Sequence, residues 1–330
     1  MEPLAQRVTT HIHEVLGRRP AIRTHGGGVT GCCEIAEGSN AEVWRIDQER
    51  GSLIARFWKI ESKRNRAEET QHLHGVLARL GVASARLIDT DISDESARRF
   101  GFHVTVEECI EGRHLAPGDL QSEAIRAQLI QILLSLHGER SDIAGHPWRP
   151  TNREHPWDAW NSYRIGVFLE RARETCPRTA RDIERLRLGL TAMLPPVREI
   201  APFHLTHGDV QPANYLLTPS GRVVMIDLGA MVFGAFQRDL ALGEMAFDLR
   251  EAGSFHTVLN ELFERVPERR APFERHRCFF RAQEWLRRSV SAYRKAARPK
   301  YESEKEALLQ RADAAWDALL ATVNSPETGE

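Results

Sequence analysis

The sequence predicts an α+β fold with two lobes, and three observations support this. The chain has 330 residues, which suggests two compact units at about 150 residues per domain. Residues 30–112 alternate short β-type runs with one helical segment, whereas residues from 119 onward are mostly helical apart from strands near 203–227. Hydrophobic residues make up 42% of the chain, which is enough to form a core.

Charge, hydropathy and cysteine content exclude several classes of protein. The formal net charge is −1, so no overall field attracts nucleic acid or an anionic membrane. The longest apolar stretches, such as Ile130–Leu136, are far shorter than the ~20 residues that cross a bilayer, and the first residues form no apolar signal core. The cysteines are odd in number and scattered, as is typical of reduced thiols; they are Cys32, Cys33, Cys109, Cys176 and Cys278. We therefore expect a cytoplasmic protein with no membrane or nucleic-acid partner.

The N-terminal part predicts a five-stranded antiparallel sheet that carries one helix. Short runs bounded by turn residues predict strands at Val29–Ile35, Glu42–Asp47, Leu53–Trp58, Leu87–Thr90 and Phe102–Cys109. Apolar residues at helical spacing predict a helix over 65–80, which Gly81 ends. A polar turn is expected over Asp91–Arg99.

The C-terminal part predicts a helical lobe around one group of short strands. Periodic apolar positions predict helices at Leu120–Leu136, Trp157–Thr175, Arg178–Met193, Leu240–Arg250, Ser254–Phe263, Pro272–Ala297 and Glu302–Val323. Apolar runs predict short strands at Phe203–Thr206, Tyr215–Leu217 and Arg222–Ile226, and a turn joins the last two into a hairpin.

The densest group of polar residues lies in this strand region. Residues 207–214 read HGDVQPAN, and Asp227 follows thirteen residues after Asn214 at a strand end. A hairpin between the two strands would bring Asn214 close to Asp227. An amide oxygen facing a carboxylate forms the hard oxygen site that Mg²⁺ prefers when phosphates complete its shell. Asp209 would then lie a few ångströms away, where it could orient a hydroxyl and accept its proton.

This pattern resembles the catalytic loop and the metal loop of kinases. In kinases an Asp, four further residues and an Asn precede an Asp-x-Gly at a strand end. His-Gly-Asp at 207–209 and Asp-Leu-Gly at 227–229 are similar to the variants in the aminoglycoside phosphotransferase family, with its choline-kinase and homoserine-kinase-like relatives. Asp-Leu-Ala at 239–241 also resembles a segment of that family that opens a helix behind the metal loop.

The resemblance implies a bilobal protein-kinase-like fold with a catalytic hairpin. Residues 1–112 would form a nucleotide-binding lobe, and residues 113–330 a lobe for catalysis and substrate binding. ATP and Mg²⁺ are the implied cofactors, with Asp209 as the catalytic residue and Asn214 and Asp227 as metal ligands. His207 is expected to have a structural role. Gln211 stands where family members often carry His or Lys, so a cation beside the γ-phosphate would be missing there.

The resemblance also implies where the nucleotide binds. The turn that contains Gly38, Ser39 and Asn40 stands where a phosphate-covering loop belongs, although it has a single glycine. The segment around Glu108 and Ile110 resembles the hinge between the lobes. Adenine would form hydrogen bonds there with the Glu108 carbonyl and the Ile110 N–H.

A cation that pairs with the phosphates is expected on the third strand. Arg56 is the candidate, and Lys59 is the alternative, although it falls past the predicted strand end. Glu69 on the following helix, or Glu68, would hold the cation in a bidentate ion pair. The strand's alternation also allows Arg56 to be an ordinary solvated residue.

The acceptor surface is expected on the helices after Asp239 and on residues 157–193. Kinases of aminoglycosides line this region with carboxylates, because their substrates are polycations. Here residues 274–300 carry nine basic residues against two acidic ones. This pattern is typical of a solvated helix face, but it also fits a site for an anionic substrate or an acidic peptide segment.

Three functions follow as alternatives. The first is an ATP-dependent phosphotransferase acting on a hydroxyl of a small molecule such as an antibiotic, a sugar, an amino alcohol or a homoserine-like metabolite. The second is the same chemistry on Ser or Thr of a peptide in natural-product maturation, with a partner protein. The third is a nucleotide-binding module without catalysis, against which the intact Asp209, Asn214 and Asp227 argue.

Overall fold

The chain divides into two compact units in a computed structural model that describes residues 4–37, 41–60, 66–147 and 157–324. The N-terminal unit consists of Met1–Leu115 and Ala213–Gly229, and the C-terminal unit of Ala116–Pro212 and Ala230–Glu330. The division of roles between residues 1–112 and 113–330 stays a prediction.

An antiparallel sheet of five strands forms the centre of the N-terminal unit. Its strands are β1 (Val29–Glu37), β2 (Ala41–Gln48), β3 (Gly51–Lys59), β4 (Leu87–Asp91) and β5 (Phe102–Glu108). They lie in the order β1-β2-β3-β5-β4, and every neighbouring pair is antiparallel. The sheet predicted from the sequence is confirmed.

Helices pack on both faces of this sheet. They are α1 (Leu4–Glu14), α2 (Pro20–Gly26), α3 (Arg66–Leu80) and α4 (Asp94–Phe100). Ile12 of α1 and Ile22 of α2 share a core with Leu53 and Phe57 of β3. Successive side chains of a strand point to opposite faces, so Arg56 lies on the other face, together with residues of α3.

The structure adds α1, α2 and α4 to the single helix predicted for this region. The turn predicted over Asp91–Arg99 is wrong, because Ser93 caps a helix there. The Ser93 side chain accepts the backbone N–H of Ser96 at 3.2 Å. Acidic residues lie in the first turn of α4 and basic residues in its last turn, which favours the helix dipole.

A hairpin forms the second part of the N-terminal unit. The hairpin consists of β9 (Tyr215–Leu217) and β10 (Val223–Met225). The two-residue strand β6 (Arg113–His114) pairs with β9 and completes a sheet in the order β10-β9-β6. The Met225 N–H donates to the Ala83 carbonyl at 2.8 Å. This bond ties the hairpin to the segment that follows α3.

The C-terminal unit is mainly helical, as predicted. Its helices are α5 (Glu123–Gly138), α6 (Trp157–Thr175), α7 (Ala180–Ala192), α8 (Val197–Ile200), α9 (Phe236–Asp248), α10 (His256–Arg265), α11 (Arg270–Ala296) and α12 (Lys305–Val323). A small sheet contains β7 (Arg140–Ser141), β8 (Phe203–Thr206) and β11 (Val232–Gly234) in the order β11-β8-β7. The long helix α11 packs along α12 and also contacts α9 and α6. Among the described helices, none has the length and apolar character needed to cross a membrane.

Candidate active site

The hairpin of the N-terminal unit brings Asn214 and Asp227 to neighbouring positions. Met225 is paired with Tyr215 in the antiparallel register of β9 and β10. One step further, the Ile226 N–H donates to the Asn214 carbonyl at 2.8 Å. Asp227 is the next residue after Ile226, so the strand register brings Asn214 close to Asp227, as the sequence predicted.

Asp227 has an unusual backbone conformation. Its φ is +59°, and no other non-glycine residue in the described part of the chain has a positive φ. One of its carboxylate oxygens, Oδ1, accepts the N–H of Gly229 at 3.2 Å. A non-glycine residue in this region costs about 1–3 kcal/mol, and such residues cluster at functional sites.

Arg56 and Asp227 line the same narrow pocket of the N-terminal unit. Its polar lining includes Arg56, Thr70, His74, Glu107 and Asp227. The predicted phosphate-pairing cation and one predicted metal ligand are therefore neighbours in this unit. Arg56 is only 20% exposed, so it is not an ordinary solvated strand residue.

The ion pair predicted between Arg56 and Glu69 is not formed. Arg56 Nε instead donates to Glu107 Oε1 at 3.3 Å, and Glu69 Oε1 accepts from Arg66 at 3.1 Å. Arg56 is paired with Thr105 in the sheet, which makes Glu107 its diagonal neighbour on the same face, within reach of a long side chain. Arg66 is three residues before Glu69, a spacing at which helix side chains meet.

Glu107 remains a carboxylate although it is buried. Burial by itself would raise its pKa, but the charge of Arg56 and the neighbouring His74 ring outweigh burial and lower the pKa below its ordinary value. The His74 ring lies 3.4 Å from Glu107. Glu107 thereby fixes the guanidinium of Arg56 from the side of β5.

Arg66 connects α3 with the segment around Asp227. In addition to Glu69, its guanidinium donates to the Gly229 carbonyl at 3.3 Å. Sequence reasoning missed Arg66, His74 and Glu107 as site residues. The spacing of Arg66 and Glu69 could have indicated the first, whereas Glu107 depends on a strand register that one sequence does not reveal.

The other candidate residues for nucleotide binding lie at strand ends or outside the described residues. Lys59 is the last residue of β3 and not beyond it, and Glu68 lies exposed in the first turn of α3. Glu108 ends β5, and Ile110 lies half-buried two residues later, outside any helix or strand. Residues 38–40, which include Gly38, Ser39 and Asn40, lie outside the described residues.

In the C-terminal unit, Asp239 at the start of α9 holds the loop that carries Asp209. The buried Asp239 carboxylate accepts the N–H of His207 at 2.7 Å and the N–H of Gly208 at 2.8 Å. Arg238 donates to the Gly208 carbonyl at 3.0 Å. Burial would raise the pKa of Asp239, but its hydrogen bond to His137 and the nearby charges lower it. The conformation of the loop is thus fixed by a carboxylate 30 residues further along the chain.

The Asp209 side chain lies in the wall of a cleft. Gln211 Nε2 donates to Asp209 Oδ2 at 2.8 Å, and Arg287 lies 3.7 Å from Oδ1. The side chain is 28% exposed. The cleft has a volume of about 950 Å³, and α11, α12 and the two residues that follow α9 contribute to its walls.

The donor set on the hairpin fits a magnesium ion only with additional ligands. Among the residues that the structure describes, no three His, Cys, Asp or Glu side chains form a metal-binding group. Asn214 and Asp227 supply hard oxygen atoms, and Mg²⁺ commonly takes one or two protein ligands plus phosphates and water. These residues therefore fit Mg²⁺ in the presence of a nucleotide.

A sequence profile of the phosphotransferase enzyme family matches residues 31–273, which is well over half of the chain. The chain belongs to the phosphotransferase enzyme family. Its matched region includes Arg56, Asp209, Asn214 and Asp227. The resemblance inferred from the two loops is confirmed, and this phosphotransferase has an alcohol group as acceptor. No curated protein matches the sequence.

Solved structures of kinases share the fold. A thermostable mutant of aminoglycoside phosphotransferase APH(4)-Ia, in a ternary complex with ADP and hygromycin B, is 13% identical, with a TM-score of 0.66 over 96% of this chain and 100% of that one. Choline kinase LicA from Streptococcus pneumoniae is 15% identical, with a TM-score of 0.61 over 96% and 100% of the two chains. At these identities the likeness establishes the fold, and the predicted protein-kinase-like architecture is confirmed.

Proposed function

We propose that this phosphotransferase transfers the γ-phosphate of ATP to a hydroxyl group of a small molecule, with Mg²⁺ as cofactor. The observation that carries the proposal is the hairpin register, in which the Ile226 N–H bonds to the Asn214 carbonyl and Asp227 follows. An amide and a carboxylate at adjacent positions match the metal-binding pair of kinases.

ATP use is supported by two structures of one relative, aminoglycoside phosphotransferase APH(4)-Ia, one in a complex with ADP and one with AMP-PNP. Asn214 and Asp227 would hold Mg²⁺, which neutralises charge on the phosphates. Arg56 would contact the phosphates, with Glu107 keeping its guanidinium in place. The backbone of Glu108 and Ile110 would bind adenine, and residues 38–40 would cover the phosphates.

Asp209 would orient the acceptor hydroxyl and take its proton. Asp209 and Asn214 are five positions apart in the chain, so even a fully extended chain keeps the two within about 17 Å of each other. The transition state of phosphoryl transfer is loose, so positioning the hydroxyl matters more than a strong base. The hydrogen bond from Gln211 holds one carboxylate oxygen of Asp209 in a defined orientation.

The acceptor is proposed to be a small molecule. One relative was solved with hygromycin B, and another is a choline kinase. Both names indicate small hydroxyl-bearing acceptors. A Ser or Thr of a peptide is an alternative acceptor that the same measurements would reveal.

The experiment compares the wild type with Asp209→Asn and Asp227→Ala. Thermal shift with ATP is measured with and without Mg²⁺, and ADP release is measured with a panel of hydroxyl compounds. Asp209→Asn should keep the Mg²⁺-dependent shift and lose about 10²–10⁴-fold in turnover, the usual contribution of a general base. Asp227→Ala should lose the Mg²⁺-dependent shift.

Asp142→Asn is the matched control, because Asp142 is exposed in the loop after β7 and lies outside the proposed site. It should behave as wild type in both assays. Full turnover of Asp209→Asn, or an unchanged shift in Asp227→Ala, would contradict the assigned roles. Absence of any shift with ATP and Mg²⁺ in the wild type would contradict nucleotide binding by the isolated chain and favour a module that works through a partner protein.

A further inference from the structure

The cleft beside Asp209 is lined by an excess of basic side chains. One acidic residue, Asp209, and five basic residues line it; the basic residues are Arg250, Arg287, Arg288, Lys295 and Arg311. All of these residues belong to the C-terminal unit. The chain as a whole is nearly balanced, with a net charge of −1, so the excess of positive charge in the cleft is local.

Two of the five cations share a buried carboxylate. Glu284 accepts from Arg287 at 2.6 Å and from Arg288 at 2.7 Å. Burial would raise the pKa of Glu284, but the two guanidinium groups lower it to about 2. One negative charge therefore compensates two positive ones, and among the described residues Asp209 is the only other carboxylate paired with Arg287, at 3.7 Å.

The other three cations have no acidic partner among the described residues. In the part of the chain that the structure describes, no carboxylate lies within 4 Å of the charged groups of Arg250, Lys295 or Arg311. All three residues are exposed. Their charges add to a cleft that already has an excess of positive charge.

The basic residues at the start of α11 differ from those in the cleft. Arg275 pairs with Glu199 at 3.2 Å, and Arg277 pairs with Glu244 at 2.5 Å. The positive charges of Arg275 and Arg277 are thus compensated by carboxylates of the same unit. Among the basic residues of segment 274–300, Arg287, Arg288 and Lys295 in its later part line the cleft.

Two further arginines add positive charge near Arg287. Burial, followed by the charges of Arg238 and Arg287, lowers the pKa of Arg164 to about 9. Burial also lowers the pKa of Arg238. Both groups stay protonated at neutral pH, since a guanidinium is effectively always charged in proteins.

We propose that the acceptor of this phosphotransferase is a small hydroxyl compound carrying a carboxylate or phosphate group, bound in this cleft by Arg250, Lys295 and Arg311. The inference rests on the proposed function and names its substrate class. A volume of about 950 Å³ is in the range of small-molecule sites. Trp285 supplies an apolar surface in the same cleft. A polycationic acceptor would be repelled there.

The test uses four sugars that share a ring and differ in charge: glucose, glucuronate, glucose 6-phosphate and glucosamine. Binding is measured by calorimetry without nucleotide, and phosphotransfer by ADP release with ATP and Mg²⁺. Glucuronate or glucose 6-phosphate should bind at least about tenfold more tightly than glucose, which corresponds to ~1.4 kcal/mol. Which of the two binds more tightly distinguishes a carboxylate from a phosphate. Raised salt should weaken the preference.

Lys295→Gln and Arg311→Gln should each weaken binding of the anionic sugar about tenfold. Arg294→Gln is the matched control, because Arg294 is an exposed basic residue of α11 that does not line the cleft. Equal losses in Lys295→Gln and Arg294→Gln would overturn the proposal, since a general surface charge would then explain the binding. Failure of both anionic sugars to bind more tightly than glucose and glucosamine would also overturn it.

Failure of the proposed function gives a different result. If anions bind in a manner that depends on Lys295 while no acceptor is phosphorylated, the anion site stands and the phosphotransfer proposal fails. If glucose or glucosamine is phosphorylated at the same rate as the anionic sugars, the phosphotransfer proposal stands and the anionic substrate class is wrong. Asp209→Asn separates the two further, because it should lower transfer about 10²–10⁴-fold and strengthen anion binding by removing the one acidic side chain that lines the cleft.

Discussion

Gly208 lies directly before the proposed catalytic Asp209 and adopts a conformation that few residues tolerate. Its φ is +79°. A Cβ atom at this position would lie 2.2 Å from the carbonyl oxygen of Ala230. Because that oxygen belongs to the backbone, it cannot move aside as a flexible side chain would. Glycine at 208 is therefore required both for the backbone conformation and for the close approach of two segments.

Gly208→Ala should destabilise the protein by about 2–4 kcal/mol, from the cost of a left-handed alanine and from overpacking. Gly221→Ala is the matched control, because Gly221 has a similar φ of +78° with nothing within 4 Å of its Cβ position. It should cost about 1 kcal/mol, the conformational part alone. Urea denaturation of both variants measures the difference, and equal losses would show that the contact with Ala230 is not restrictive.

The helix α4 depends on its N-cap more than on apolar periodicity. Ser93→Ala removes the acceptor of the Ser96 N–H, so it should cost about 1 kcal/mol in the free energy of unfolding. Ser93→Thr keeps a hydroxyl at the cap and should lose only a few tenths of that amount. Ser93 is exposed, so lost packing would not explain a difference between the two variants. Equal stability of Ser93→Ala and the wild type would argue against the cap.

Helices and strands are predicted well from the sequence where the apolar periodicity is strong. The bounds of α6, Trp157–Thr175, agree with the prediction, and the five strands of the sheet were all expected. The short helix α4 was missed because its residues are polar and its signal lies in the cap. The carboxylate partner of Arg56 could not be predicted, since Glu107 is 51 residues away and becomes a neighbour only through the pairing of β3 with β5. The roles of Asp209, Asn214 and Asp227 stay predictions until the variants are measured.

Across the C-terminal unit, buried histidines link stability to pH. Burial lowers the pKa of His137 and of His276, and it lowers the pKa of His204 to about 4. Each is therefore neutral in the folded protein at neutral pH. In the unfolded chain each has an ordinary pKa of about 6.5. Between about pH 6.5 and pH 4 the unfolded state binds more protons than the folded state, so stability falls as the pH is lowered through this window.

Buried carboxylates act in a lower pH window. The pKa of Glu284 is lowered to about 2 and that of Asp239 is also lowered, so their stabilisation is present above about pH 4 and is lost only below it. Acid unfolding should therefore begin with the histidines. This order distinguishes the two kinds of group in one pH series.

His204→Asn should lower by one the number of protons that the chain takes up on unfolding in this pH window. The wild type should lose about 1.4 kcal/mol of stability per pH unit for each such histidine, measured by urea denaturation at several pH values between 7 and 4.5. The His204 ring bonds through Nδ1 to the His137 carbonyl at 2.5 Å, and an asparagine amide can donate to the same oxygen. The variant should therefore be less stable at pH 7, because it loses the ring's packing, but should show a slope smaller by one proton. His256→Asn is the control, because His256 is exposed in the same unit, and it should leave the slope of stability against pH unchanged. An equal change of slope in both variants would show that burial of His204 is not the cause.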